Sequence, residues 1–245
     1  RTLEFMEKRG IDYIVEDEVD LLLPAKPEPR RPHAPREGIA ARADVVIVFG
    51  GDGTLLASVQ HALPHGTPLL GVNLGKLGFL ADVGVDEVFW AIEEILAARY
   101  SVEKRMTLTG RRPGDDRVYA VLNDIVLAKS GTAKVISIDA YVNDDFLASF
   151  LADGIIISTP TGSTAYSLAT GGPVVVPSSN VIVISPISAH TLTARPVIVN
   201  GDSIITVCAR TDEGFVMAMA DGVTILHEQT SIELEIRRGA QSVAL

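Results

Sequence analysis

Asp44-Val45-Val46-Ile47-Val48-Phe49-Gly50-Gly51-Asp52-Gly53-Thr54-Leu55-Leu56 is the stretch on which the fold turns. A short apolar run rich in β-branched residues and closed by glycines reads as a buried strand, and Thr54-Leu55-Leu56 opens a helix. The turn between them carries one carboxylate, Asp52. Backbone N–H groups and the helix dipole at such a turn can hold phosphate. Glycines let the main chain approach a bulky anion and supply positive φ where the turn needs it. An Asp inside a phosphate cradle repels its ligand. It makes sense if it orients or accepts a proton from a hydroxyl, or holds a cation against the phosphate. Phosphorylation of a sugar or nucleoside hydroxyl is the chemistry this suggests. The same residues also read as a plain tight turn, with Asp52 or Thr54 capping the helix.

Outward from this turn, the first 100 residues alternate helix and strand. Leu3, Phe5 and Met6 suggest a helix and Ile11–Val15 a short strand. Pro24, Pro27, Pro29, Pro32 and Pro35, spread among charges, predict a loop. A helix is expected from about Thr54 to Ala62 and a strand over Pro68–Val72. Val88, Phe89, Ile92, Ile95 and Leu96 recur at helical spacing through Ala98. Such alternation predicts a doubly wound α/β domain with a parallel sheet, which binds ligands at the carboxyl ends of its strands.

After Tyr100 the pattern changes to short apolar runs punctuated by Gly, Asp, Asn or Pro. They are Met106–Thr109, Val118–Leu122, Ile125–Ala128, Val135–Val142, Ile155–Ser158, Val181–Ile184, Val197–Val199, Ile204–Ala209, Phe215–Ala220 and Ile232–Ile236. One helical stretch, around Thr164–Thr170, interrupts them. Many short strands predict a mostly β, sandwich-like domain. The expected organisation is 1–100 and 101–245, the last residues having the option of packing back on the first domain, with the site in the cleft between.

The 245 residues, 47% hydrophobic and 21% charged, are ordinary globular composition. No apolar stretch approaches the roughly 20 residues that span a bilayer, so no membrane role is expected. The charged N-terminal helix has no signal-peptide core, and a start without Met fits a chain that begins inside a domain. One cysteine, Cys208, excludes an intramolecular disulfide, fits a reducing cytoplasm and is expected to be a small core residue. No Cys/His cluster has zinc spacing. A net charge of −10 argues against nucleic acid as partner. It leaves small phosphates open, because helix N-termini, a few cations and magnesium neutralise them locally.

Three further segments carry chemistry. Asp153-Gly154-Ile155-Ile156-Ile157-Ser158-Thr159-Pro160-Thr161-Gly162-Ser163-Thr164-Ala165-Tyr166-Ser167-Leu168-Ala169-Thr170-Gly171-Gly172-Pro173 runs from a strand through small and hydroxyl residues into a helix. Thr161, Ser163 and Thr164 can cap that helix and donate to a ligand, and Tyr166 offers a ring for stacking. Asn73-Leu74-Gly75-Lys76-Leu77-Gly78-Phe79 follows the next strand, at the same sheet edge as Asp52. Asn123-Asp124 is an amide–carboxylate pair at a strand boundary. Asn123 can read a base or ribose edge and Asp124 can accept from paired ribose hydroxyls; an Asx turn is the plain alternative.

Taken in order, Gly-Gly-Asp-Gly-Thr, Asn-Leu-Gly-x-Leu-Gly-Phe, Asn-Asp and the long loop, with Ser185-Pro186-Ile187 and His190-Thr191-Leu192-x-x-Arg195-Pro196 downstream, closely resemble the NAD kinases, also called ATP/polyphosphate–NAD kinases. The likeness covers residues 40–200 well. The long loop is its most specific part; the Gly-Gly-Asp-Gly-Thr motif is shared with diacylglycerol- and sphingosine-type lipid kinases.

The resemblance implies phosphoryl transfer from ATP or polyphosphate to the adenosine ribose 2′-hydroxyl of NAD, making NADP. In that reading Asp52 is the catalytic carboxylate, and Gly50, Gly51, Gly53 and Thr54 shape the phosphate site. Asn73 and Phe79 line the same cleft, and Asn123 and Asp124 hold NAD through its amide and ribose hydroxyls. Asp153, Thr161, Thr164, Ala165, Tyr166, Ser167, Leu168 and Ala169 bind the nucleotide, with Tyr166 stacking. Magnesium or another divalent cation bridges the donor phosphates, and no protein metal ligands are expected. No Walker lysine is present; Lys76 is a candidate helper or a solvated surface lysine. A cytoplasmic homodimer or homotetramer is implied. The alternatives are a lipid kinase using the same turn and a catalytically silent NAD(P)-binding protein.

This sequence departs from the family pattern in places. It starts after the family's usual first strand and Asn-Pro loop. Asp124 stands where many members carry Glu, Ala57 where Arg or His is frequent, and Val223 where a polar residue follows the late Asp221-Gly222.

Overall fold

The computed structural model describes residues 1–24, 31–75, 78–190 and 193–245. Pro27, Pro29, Lys76, Leu77, Thr191 and Leu192 of the motifs above lie outside the described residues. The chain divides into two units, Arg1–Lys104 with Val243–Leu245, and Arg105–Ser242.

In the first unit the elements run α1 (Thr2–Arg9), β1 (Val15–Glu16), α2 (Asp17–Leu22), β2 (His33–Ala34), α3 (Arg36–Ile39), β3 (Val46–Phe49), α4 (Asp52–Ala62), β4 (Leu69–Asn73), β5 (Val83–Gly84) and α5 (Val88–Leu96). Strands β3, β4 and β5 form a parallel sheet in that order. The β3–α4–β4 crossover is what a parallel pair requires, and it leaves both Asp52 and Asn73 at carboxyl ends of strands. The expected strand Ile11–Val15 shrinks to Val15–Glu16. It pairs with His33–Ala34, a short strand inside the stretch read as loop, flanked by Pro32 and Pro35 rather than interrupted by them.

Helix α4 buries Leu55 and Val59. Gly71 of β4 permits this approach, since a Cβ there would lie 2.6 Å from Leu55 Cδ1 and 2.8 Å from Ala81 Cα. A second cluster, Val72, Val88 and Ile92, takes in Phe5 and Met6 of α1. There Phe5 stacks on Phe89 with centroids 4.8 Å apart, and Arg9 pairs with Glu93.

The second unit follows the two-residue strand β6 (Lys104–Arg105). Its strands are β7 (Leu108–Arg111), β8 (Val118–Val121), β9 (Asp124–Ser130), β10 (Ile136–Val142), β11 (Asp145–Ala152), β12 (Gly154–Ser158), β13 (Val181–Ile187), β14 (Val197–Asn200), β15 (Ile205–Arg210), β16 (Phe215–Ala220), β17 (Val223–Gln229) and β18 (Ser231–Arg238). A short helix, α6 (Tyr166–Ala169), lies between β12 and β13. They make two antiparallel six-stranded sheets, ordered β11-β10-β15-β18-β7-β8 and β14-β13-β12-β9-β16-β17. One core joins inward residues of both, including Leu127, Ile155, Ile157 and Ile184 from one sheet and Ile138, Val207, Leu234 and Ile236 from the other. Each such side chain contributes roughly 1.5–3 kcal/mol by burial. Strand β12 is buried along its whole length because Ile156, on its other face, packs with Val126 and Ile187. That explains why its sequence is uninterrupted rather than alternating.

Strands β11 and β17 lie beyond the apolar runs named from the sequence. Each closes a hairpin whose two turn residues have positive φ, Asn143 and Asp144 in one and Asp221 and Gly222 in the other. That is the signature of a two-residue type I′ turn. Cys208 does not enter the core. It is half-buried on the face of β15 opposite Val207 and Ala209, and burial raises its thiol pKa.

Candidate active site

In the first unit Asp52 begins α4, behind the N-cap residue Gly51, and no side chain caps the helix. The carboxylate turns instead to the segment after β4. The Phe79 N–H donates to Oδ2 at 2.9 Å, and the Leu80 and Ala81 N–H groups donate to Oδ1 at 3.1 and 3.2 Å. A carboxylate offers about four lone-pair sites, so about one remains. Asn73, 6% exposed, holds the same segment. Its Nδ2 donates to the Ala81 carbonyl at 3.2 Å and its Oδ1 accepts the Gly75 N–H at 2.8 Å. Asn73 therefore supports the loop that grips Asp52, while Phe79 is 68% exposed.

The three glycines of the turn, Gly50, Gly51 and Gly53, do not supply positive φ. A Cβ on Gly50 would clash with Thr54, whereas positions 51 and 53 have nothing within 4 Å. Their contribution is open space beside Asp52, with exposed main chain at a helix start.

In the second unit Leu122 and Asn123 link β8 to β9, whose first residue is Asp124. The Asp124 side chain is buried, with 5% of the residue exposed, and among the described residues no hydrogen bond to its carboxyl is found. Burial first, and the nearby Asp221 charge second, push its pKa up to about 7. Asp221 is also raised, by burial, against the opposing effect of N–H groups from Leu122, Asn123 and Asp124. Asn123 is half-buried. Its carbonyl accepts the Thr159 N–H at 2.9 Å and lies where a Cβ on Gly162 would collide with it.

The hydroxyl-rich loop is built as two short pieces, a 3-10 turn over Thr161–Thr164 and α6, in place of one helix over Thr164–Thr170. Much of its polar chemistry faces inward. Ser163 Oγ donates to the Pro160 carbonyl at 2.7 Å and accepts the Val175 N–H at 2.9 Å. Ser167 pairs with Ser185 at 2.9 Å, both fully buried, and Thr161 is buried too. The Ser163 and Ser167 hydroxyls are taken up inside the fold, because buried polar groups need partners, while Thr161 Oγ1 accepts a hydrogen bond from Arg105 Nη1 at 3.5 Å. The outward residues are Ala165, Tyr166 (44% exposed), Leu168 and Ala169, with Thr164 half-buried. A cavity of about 310 Å³ opens beside this loop, lined by Thr170, Pro186, Ser188, Ala194 and Arg195 among others; none of the expected site residues lines it.

Asp153 is not brought to this group. It precedes Gly154 at the opposite end of β12 from Ser158, the partner of Asp124, about 17 Å along the strand, and forms an ion pair with Lys129 at 2.7 Å. Asp221, absent from the expected site, accepts N–H bonds from Leu122 and from two residues of that site, Asn123 and Asp124; the Asp-Gly pair between two apolar runs was the available signal. Among the described residues no group of three or more His, Cys, Asp or Glu could hold a metal ion. No described helix is long and apolar enough to cross a membrane.

A carboxylate pinned at the carboxyl end of a parallel strand beside open main chain stands where open α/β sheets bind their ligands. The ATP-NAD kinase N-terminal domain family matches residues 3–100 and the ATP-NAD kinase C-terminal domain family residues 122–245. The NAD kinase of Heliobacterium modesticaldum is 39% identical over 221 residues, covering 88% of this chain and 78% of that protein. That of Moorella thermoacetica is 37% identical over 238 residues, covering 96% and 75%. The crystal structure of yeast NADH kinase complexed with NADH superposes with a TM-score of 0.87 at 26% identity, over 99% of this chain and 77% of that one. The chain belongs to the NAD kinase family and is an enzyme of that class.

Proposed function

We propose that this enzyme transfers the γ-phosphoryl group of ATP to the 2′-hydroxyl of the adenosine ribose of NAD, giving NADP and ADP. The observation that carries this reading is Asp52, gripped by three N–H groups with a lone pair left beside the open positions 51 and 53. A ribose hydroxyl donating to that lone pair is aligned for attack. Its oxygen bonds to the γ-phosphorus as the β–γ bridging bond breaks, and its proton passes to Asp52 late in a loose transition state. Gly50, Gly51, Gly53 and Thr54 accommodate phosphate. Asn123 reads an amide or ribose edge, and Asp124, whose carboxyl has no hydrogen-bond partner among the described residues, accepts ribose hydroxyls. Thr164, Ala165, Tyr166, Leu168 and Ala169 border the base, with Tyr166 stacking, while Asn73, Thr161 and Ser167 support from behind. A divalent cation, magnesium above all, travels with the donor phosphates and neutralises their charge. The single half-buried cysteine fits the reducing cytoplasm this activity would occupy.

Purified protein mixed with magnesium, NAD and either ATP or polyphosphate tests the proposal. NADP formation with ATP supports it, and turnover with polyphosphate extends the donor range. Binding of NAD without turnover, or turnover of a diacylglycerol or sphingosine alone, overturns it.

Gly78→Ala checks the grip on Asp52 separately. A Cβ on residue 78 would lie 2.6 Å from Asp52 Cγ and clash with Oδ1, so the carboxylate must swing off its donors. The expected result is kcat lowered about tenfold or more with KM for NAD little changed, and roughly 1–3 kcal/mol lost in thermal unfolding as the N–H groups lose their acceptor. Wild-type kcat in a folded variant would show that the grip does not matter.

A further inference from the structure

We propose that Asp221 is a positioning residue, whose carboxylate sets the backbone of Leu122–Asp124 and so the two side chains that receive the dinucleotide; this rests on the binding roles given above to Asn123 and Asp124. The link between β8 and β9 passes from one sheet of the sandwich to the other, so its backbone groups have no ladder to join and need other partners. Asp221 supplies most of them. Its Oδ2 accepts the Leu122 N–H at 2.8 Å, and its Oδ1 accepts the Asn123 and Asp124 N–H groups at 2.8 and 3.1 Å. Its own N–H donates to the Asp124 carbonyl at 3.0 Å. Thr159 completes the set, donating from Oγ1 to the Leu122 carbonyl at 2.6 Å and from N–H to the Asn123 carbonyl at 2.9 Å. Every N–H and carbonyl of the three residues is thereby held.

The arrangement has an evident cost, which argues against its being incidental to the hairpin. Asp221 adopts φ of +46°, a region few non-glycine residues enter and which Asp and Asn tolerate best. It also places a second carboxylate in the surroundings of the buried Asp124. A hairpin turn alone would be met by Asn-Gly without that charge. The carboxylate is explained by the three N–H groups, which need an acceptor with several lone pairs in one plane.

Two variants test this with the wild-type enzyme as reference. Asp221→Asn keeps the turn conformation and one acceptor oxygen, leaving an NH2 group opposite one N–H. Asp221→Gly keeps the positive φ and removes all three bonds. The expected result is KM for NAD raised about tenfold in the first variant and more in the second, with KM for ATP within about twofold and kcat less affected, as loss of one to three charge-assisted bonds predicts. A purely structural role would lower the folded, active fraction without moving KM for NAD. Unchanged KM for NAD in folded Asp221→Asn overturns the inference, and that variant decides should Asp221→Gly fail to fold. Absence of NADP formation by the wild type would instead overturn the activity reading.

Discussion

Replacing Asp52 by Asn is expected to slow NADP formation by roughly a hundred- to ten-thousand-fold, the range a positioned proton acceptor contributes. The substitution is close to isosteric, and the amide oxygen can still accept the Leu80 and Ala81 N–H groups. The amide NH2 then faces the Phe79 N–H, which donated to Oδ2. One bond is lost, about 1–3 kcal/mol of stability, and the helix start keeps its geometry. The rate effect should therefore far exceed the stability effect. Initial rates at saturating NAD, ATP and magnesium, beside thermal unfolding of the same preparation, separate the two. A folded Asp52→Asn enzyme within about threefold of the wild-type rate would remove Asp52 from the chemistry.

Replacing Asp124 by Asn is expected to strengthen the fold at alkaline pH while weakening NAD binding. In the native chain burial raises the Asp124 carboxyl to about 7 against an ordinary 3.8. Between those values the folded state holds a proton that the unfolded chain has released. The contribution is present below about pH 4, declines as pH rises and is lost above about pH 7, a difference on the order of 4 kcal/mol. Asp221 shifts in the same direction, so the two slopes add. Neutral Asn does not ionise, which removes the Asp124 share of the slope. At pH 8 the variant should unfold at a higher temperature than the wild type, and near pH 5 the two should be similar. The unpaired amide N–H offsets part of the gain, by about 1–3 kcal/mol. In the same variant KM for NAD should rise about tenfold, because an acceptor for ribose hydroxyls becomes partly a donor. Thermal unfolding from pH 5 to 8 checks the first half, and equal or lower stability of Asp124→Asn at pH 8 would contradict it.

Much of the fold was legible because the apolar periods were unambiguous. The β-branched run before Gly50 reads as a strand by its shortness and its closing glycines, and the strand–helix–strand order implies a parallel crossover. In the second unit the short runs and their Gly, Asp and Asn punctuation pointed to antiparallel layers. Strand β11 escaped because it is an edge strand with Phe146 and Leu151 exposed, which blurs the alternation of Asp-Phe-Leu-Ala-Ser-Phe-Leu-Ala. The site was legible as a set of residue types and not as a set of contacts. Ser163 and Ser167 look like ligand donors in sequence, and packing turned them inward. Asp153 shares a motif with Thr161 and yet sits at the other end of β12, because a strand carries its two termini apart.

Local sequence determined the elements and the position of Asp52 on a strand-to-helix turn, since both depend on neighbours a few residues away. Only the tertiary structure decided what the carboxylates meet. Asp52 is held by N–H groups 27 to 29 residues further on, and Asp221 holds N–H groups 97 to 99 residues earlier. Those partners are set by how strands and loops pack, and backbone N–H groups, which every residue but proline carries, leave no mark in the sequence.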